Sequence, residues 1–168
     1  MKILIAYSSI TGNTKKVAES IFETLEGEKE IQWLDKNPEI DLEEFDRVIV
    51  GFWVDKGSMN SCAKKFVKKI RNKDVGYICT LGAYPDSDHA DKVREKAKNI
   101  ISQNNRFIGG FLCQGSVNPR LVEKMGKFPL NLIHPLTPER LKRIEDAKSH
   151  PDSEDLENGK KYFSEILK

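Results

Sequence analysis

Short apolar runs alternate with longer amphipathic stretches over the first two-thirds of the chain. KILIAY (2–7) is rich in branched residues and too short for a helix. Behind it Val17, Ile21 and Leu25 recur at i, i+4 and i+8, with Ala18 and Phe22 alongside, which predicts a helix stopped at Gly27. EIQWLD (30–35) alternates Ile31 and Trp33 with Glu30 and Gln32 and reads as a less buried strand. RVIVGFW (47–53), VGYICTLG (75–82) and RFIGGFLCQG (106–115) read as buried strands. Between them, Ala63, Phe66, Val67 and Ile70 share one helical face, and Ala90, Val93, Ala97, Ile100 and Ile101 another, in a helix opening near Ser87. Unbroken apolar strands separated by helices belong to a parallel sheet covered on both faces, and right-handed crossovers leave mainly doubly wound topologies. Five strands are predicted, in a single domain spanning 1–168.

The last third carries helix signals and no strand. VNPRLVEKMG offers Asn118 as cap and Pro119 at the first helical position. LTPERLKRIEDAK offers Thr137 and Pro138, with Leu141, Ile144 and Ala147 inward. DSEDLENGKKYFSEILK offers Ser153 as cap, then Leu156, Phe163, Ile166 and Leu167. The final helix is expected to cover one face of the sheet; the two before it are additions to a five-stranded unit.

Composition narrows the partners. With 168 residues and a formal net charge of +2, the chain is long enough to bury a core without a metal or disulfide, and nothing in its charge points to nucleic acid or a membrane. Cys62, Cys79 and Cys113 are odd in number and widely spaced, so they build neither a disulfide framework nor a CxxC motif. The absence of a signal-type start or a membrane-length apolar run leads to an expected soluble, cytoplasmic protein. His89, His134 and His150 are scattered, and no metal is expected. KKFVKKIRNK (64–73) reads as a solvated helix face.

The chemistry concentrates in YSSITGNTKK (7–16), where an apolar strand passes into hydroxyls, a glycine and an amide just before a helix. In open parallel sheets ligands bind beyond the carboxyl ends of the strands, and a helix start presents unpaired N–H groups that favour anions. Neither GxxxxGK[ST] nor GxGxxG is present, and no lysine or arginine precedes position 15 in the loop. A neutral set of donors suits a dianionic monophosphate.

AYSSITGNTKKVAESI resembles the phosphate loop of flavodoxins: an aromatic, small or hydroxyl residues, T-G-N-T and an apolar-faced helix. The resemblance covers about residues 1–115 and the last helix. It implies a doubly wound α/β sheet in the order 2-1-3-4-5 with extra C-terminal helices, and non-covalent FMN serving electron transfer with a redox partner protein. It further implies that Ser9, Thr11, Gly12, Asn13 and Thr14 hold the phosphate, with Ile10 contributing its N–H. Trp53 and Tyr84, each just past a strand, are candidates to flank the flavin ring. Phe52, Val54 and Asp55 belong to the first of these loops, and Thr80, Leu81 and Gly82 to the second. Trp53 stands earlier than the aromatic of the usual flavodoxin loop, with Asp55 near that place, so the face of the ring falls either to Trp53 or to Phe52, Val54 and backbone. The pattern FLCQG followed by a helix, with HPLTPERL, is also similar to a clostridial branch, some of whose members are found with bilirubin-reducing enzymes as proposed electron donors. No side chain is assigned a catalytic role. Two other functions are compatible with the pattern: an FMN-dependent oxidoreductase acting on a small molecule, and a binding or regulatory module that has lost the flavin.

Overall fold

A computed structural model describes residues 1–127 and 135–168. Five strands run parallel: β1 (Lys2–Tyr7), β2 (Glu28–Trp33), β3 (Arg47–Asp55), β5 (Asp74–Leu81) and β6 (Arg106–Gln114), ordered β2-β1-β3-β5-β6. Counting parallel strands alone, this is the expected 2-1-3-4-5. One element is additional. β3 continues two residues beyond Trp53, turns, and pairs antiparallel with the two-residue β4 (Ser58–Met59). The turn places Lys56 at φ 48° and Gly57 at φ 70°, the two left-handed positions that a type I′ hairpin turn requires.

The period-two alternation of the strands divides the core into two. Leu4, Ala6, Val48, Val50 and Phe52 face one side, where α2 (Ser61–Val67) and α3 (Asp88–Ser102) supply Ala63, Phe66, Val93 and Ala97. Ile3, Ile5, Tyr7 and Ile49 face the other, where α1 (Asn13–Thr24) supplies Val17 and Ile21 and the C-terminal helix supplies Phe163. Both faces are therefore covered, which is why β1, β3 and β5 carry almost no polar alternation, while the edge strand β2 does. Cys79 and Cys113 are core residues, and burial pushes both thiols up.

The caps follow the expected residues with one change. Asn118 opens α4 (Pro119–Met125) and Thr137 opens α5 (Pro138–Asp146), each side chain accepting an amide of the first turn. In α6 (Ser153–Ile166) the cap is Asp152 rather than Ser153: Asp152 accepts the Asp155 amide and Asp155 accepts the Asp152 amide, a reciprocal arrangement open only to that register. His150 Nδ1 joins it at 2.6 Å from Asp155 Oδ2, so the gathering of His150, Asp152 and Asp155 is accounted for by the start of α6. Leu141, expected inward, is 47% exposed, whereas Ala147 is fully buried. His134 and part of HPLTPERL lie outside the described residues. Among the described residues no helix is long and apolar enough to cross a membrane.

At the amino-terminal edge of the sheet, Arg106 Nε donates to Asp74 Oδ1 at 2.6 Å, its second nitrogen pairs with Oδ2, and Arg47 stands 3.6 Å away. The hydrogen-bonded Arg106 holds the Asp74 carboxyl below its ordinary value of 3.8. A depressed carboxylate contributes stability that is fully present above its unfolded pKa and lost as pH falls through the folded one. Asp74→Asn is therefore expected to lower stability modestly at pH 7, with the difference from the parent beginning to shrink as pH falls through about 4 and gone only below the depressed folded pKa. Urea unfolding across that range reads the effect; a pH-independent difference would exclude the ion pair as its source.

Candidate functional site

The site is built where β1 ends and α1 begins. Ser8 N–H donates to the Gly51 carbonyl at 2.9 Å, extending the β1–β3 ladder by one bond before the chain leaves the sheet. Gly12, at φ 90°, caps α1 in the left-handed conformation that glycine adopts without strain. Its carbonyl accepts the Lys16 amide at 2.9 Å, the first bond of the helix. Among the described residues the amides of Ile10, Thr11, Gly12, Asn13 and Thr14 meet no acceptor. They are the free donors of a helix start, with the partial positive charge that such a start carries.

The side chains of this loop divide into exposed and engaged. Ile10 is 63% exposed and Thr11 is exposed. Ser9 is buried, and its Oγ accepts the Lys15 amide at 3.3 Å. Asn13 is paired twice with Ser116, through Nδ2 to the backbone carbonyl at 2.8 Å and through Oδ1 to the hydroxyl at 3.0 Å. Thr14 is buried against Thr80, with the two hydroxyl oxygens 2.9 Å apart. A pair of hydroxyls shares one proton, so one of the two retains a proton to donate elsewhere.

The ends of β3 and β5 stand beside the loop. Phe52 is fully buried and packs obliquely on Tyr77, 5.5 Å between ring centres. Trp53 is half-buried, paired in the sheet with Thr80, and its Nε1 is buried without an acceptor. Val54 and Asp55, half-buried, form the outgoing arm of the hairpin. Thr80 and Leu81 are buried. At Gly82 an added Cβ would lie 2.5 Å from Val117 Cγ2, so the loops after β5 and β6 touch. Tyr84 is half-buried and donates its hydroxyl to Asp146 Oδ2 at 2.7 Å, tying α5 to the loop after β5. His89 is exposed, close to the hairpin turn at Gly57.

Several residues at this edge escaped the sequence reading. Asp35 accepts from Ser8 Oγ, the Ser9 amide and Trp33 Nε1. Asn60, at the start of α2, donates to Ser8 Oγ at 2.9 Å while its own Oδ1 is buried without a donor. Gln114, the last residue of β6, is buried with Nε2 unpaired. Among the described residues five buried side-chain polar atoms lack a partner, and three of them, on Trp53, Asn60 and Gln114, belong to this edge of the sheet. Buried polar groups are normally satisfied, so their grouping here fits a site that receives a polar ligand. Cys62 lies beside Ser8 and Asp35; burial first, then the Asp35 charge, pushes its thiol up and keeps it protonated.

A family model described as the flavodoxin domain matches residues 4–164. The chain is 32% identical over 170 aligned positions to a flavodoxin-like domain-containing protein BilS from Clostridioides difficile (strain CD3), covering 99% of this chain and 97% of that one. A second BilS, from Clostridium symbiosum (strain WAL-14163), is 29% identical over 140 positions, 74% of this chain and 73% of its own. Among solved structures, oxidised flavodoxin 1 from Bacillus cereus superposes with a TM-score of 0.63 at 15% identity, covering 99% of this chain and 97% of that one. A flavoprotein in complex with FMN from Lactobacillus acidophilus NCFM gives 0.54 at 18% identity, covering 75% and 99%. With the sheet order, the loop after its first strand and these matches in agreement, the chain belongs to the flavodoxin domain family.

Proposed function

We propose that the chain binds FMN non-covalently at the carboxyl edge of the sheet and exchanges electrons with a redox partner protein. The observation that carries this reading is the row of five free amides, residues 10–14, at the start of α1. They offer a phosphate several fixed donors with no countercharge from the loop. The spare proton of the Thr14–Thr80 pair adds a donor at the same loop, and Trp53 Nε1 is a further unpaired donor at this end of the sheet. Bound FMN would supply the electron chemistry. The protein's own part is to hold the phosphate at Ser9–Thr14 and to offer the ring the ends of β3 and β5. Trp53 and Tyr84 serve there as walls, Val54, Asp55 and Gly82 contribute backbone, and Phe52, Thr80 and Leu81 act as buried support. The similarity to a clostridial flavodoxin-like domain-containing protein along nearly the whole chain supports a flavodoxin-type site.

A small-molecule oxidoreductase remains the second reading. Its support is the Tyr84–Asp146 bond, which brings an added helix against one of the two loops assigned to the ring.

The test is a titration of apo-protein with FMN, followed by tryptophan fluorescence and by visible absorbance. Saturable quenching at micromolar FMN with perturbed flavin bands is expected; unaltered fluorescence and free-flavin bands would overturn the assignment. NAD(P)H added alone to the loaded protein then separates the two readings. A carrier keeps its colour until a reductase is supplied, whereas an oxidoreductase using that donor is bleached directly.

A further inference from the structure

The carboxylate of Asp35 sits at a junction that no phosphate-binding motif describes. The parallel register sets Trp33 beside Tyr7, and the short 3-10 turn Leu34–Lys36 then brings Asp35 level with Ser9. Oδ1 accepts from Ser8 Oγ at 2.9 Å. Oδ2 accepts from the Ser9 amide at 2.8 Å and from Trp33 Nε1 at 2.8 Å. Ser8 Oγ in turn accepts from Asn60 Nδ2, so β1, the turn after β2 and the start of α2 are joined through two side chains. Beyond this junction Ser9 Oγ holds the Lys15 amide in the first turn of α1. The chain from 8 to 15 is thereby fixed at its entry by Asp35 and at its exit by Ser9. Among the described residues the five amides between make no bond themselves; Asn13 on Ser116 and Thr14 on Thr80 hold the far half of the loop, and Asp35 is the anchor of its entry.

Charge alone would argue against a carboxylate here, since it opposes an arriving phosphate. Three donors converge on it, however; an asparagine keeps the Ser9 and Trp33 bonds only by turning its NH2 to Ser8 Oγ, which reverses that bond and removes the charge from the other two. Hydrogen bonds to a charged acceptor are also stronger than neutral ones. We infer that Asp35 is a positioning residue, one that sets the entry of the phosphate loop so that the amides of residues 10–14 converge on the phosphate of the flavin nucleotide. The inference rests on the function proposed above.

The two claims separate by ligand. Riboflavin carries the same ring without the phosphate, so it reports on the ring walls and not on the loop. In Asp35→Asn and Asp35→Ala, FMN affinity is expected to fall by about 10–100-fold, the range given by losing hydrogen bonds to a charged group. Riboflavin affinity should change by less than about threefold, a shift of under 1 kcal/mol. Ser8→Ala, which removes one of the three donors and leaves the carboxylate in place, should give a smaller FMN loss in the same direction. Thermal melts identify the variants that fold, and Ser8→Ala and the near-isosteric Asp35→Asn carry the test if Asp35→Ala does not. Equal losses for FMN and riboflavin, or unchanged FMN affinity in Asp35→Asn, would overturn the positioning role while leaving FMN binding standing. A wild-type protein that binds neither ligand would overturn both.

Discussion

Phe52→Ala is expected to lower the stability of the apo-protein by about 3–5 kcal/mol, the range for truncating a large buried aromatic. Phe52 is fully buried in the middle of the sheet, packed among Val50, Tyr77 and the residues of α2 and α3. Its removal leaves a cavity that neighbouring strands, held by their ladders, cannot collapse to fill. Domains of this kind have roughly 5–15 kcal/mol in total, so a large share of the margin is lost. FMN affinity measured on the folded protein should stay within about threefold, because the residue stands behind the proposed ring site. Urea unfolding and FMN titration on the same preparation give the two numbers. A variant with nearly unchanged stability and a large loss of FMN affinity would return Phe52 to the ligand wall. Phe52→Leu, with a smaller expected loss, serves if the alanine variant does not fold.

Gly51→Ala is expected to damage stability and binding together. An added Cβ would lie 2.5 Å from Tyr7 Cβ and 3.2 Å from both Tyr7 Cα and Thr14 Cγ2. The first two atoms belong to or adjoin the backbone of β1, which cannot move without shifting the loop that follows. The Gly51 carbonyl also accepts the Ser8 amide, so displacement is transmitted directly into the loop between β1 and α1. Overpacking of this kind costs about 1–3 kcal/mol, and the upper end is expected because the clash meets backbone on one side. FMN affinity should fall at least about tenfold, or ~1.4 kcal/mol. Full FMN affinity in a destabilised Gly51→Ala protein would show that the loop is independent of the β1–β3 spacing.

The parts legible in the sequence were those set by local pattern. Val48, Ile49 and Val50 form an unbroken apolar run because each of the two cores takes alternate members, and such a run reads directly as a strand. Pro119 and Pro138 at first helical positions mark their helices whatever surrounds them. The β3–β4 hairpin was missed because its paired arms, Val54–Asp55 and Ser58–Met59, are each too short to show a strand period and its turn is Lys56-Gly57 rather than Asn-Gly. Choosing between Asp152 and Ser153 as the cap of α6 needed the residue three places on. Asp155 answers Asp152, and Ser153 has no such partner.

At the site the same division holds. TGNT before an amphipathic helix is a local signature, and the chain folds it into a glycine-capped helix start with free amides. Asp35 is invisible to local reading, since it reaches Ser8 and Ser9 only through the β1–β2 register, and the sequence shows it merely as the polar tail of a weak strand. Leu141 misled for the opposite reason: helical spacing identifies a stripe, but what lies against that stripe is decided by the rest of the chain.

The hairpin at Lys56-Gly57 has a mechanical consequence. Its two arms are bonded to each other, the Asn60 amide returns to the Trp53 carbonyl at 3.2 Å, and Lys96 Nζ reaches across from α3 to the Gly57 carbonyl at 3.1 Å. The segment carrying Trp53 is braced at both its base and its tip. The segment carrying Tyr84 is a turn closed by the Ser87 amide and hydroxyl on the Tyr84 carbonyl, and its ring is fastened by one phenolic bond to Asp146. The Trp53 segment is thus tied to α2 and α3 through backbone groups, whereas the position of the Tyr84 ring depends on where α5 sits.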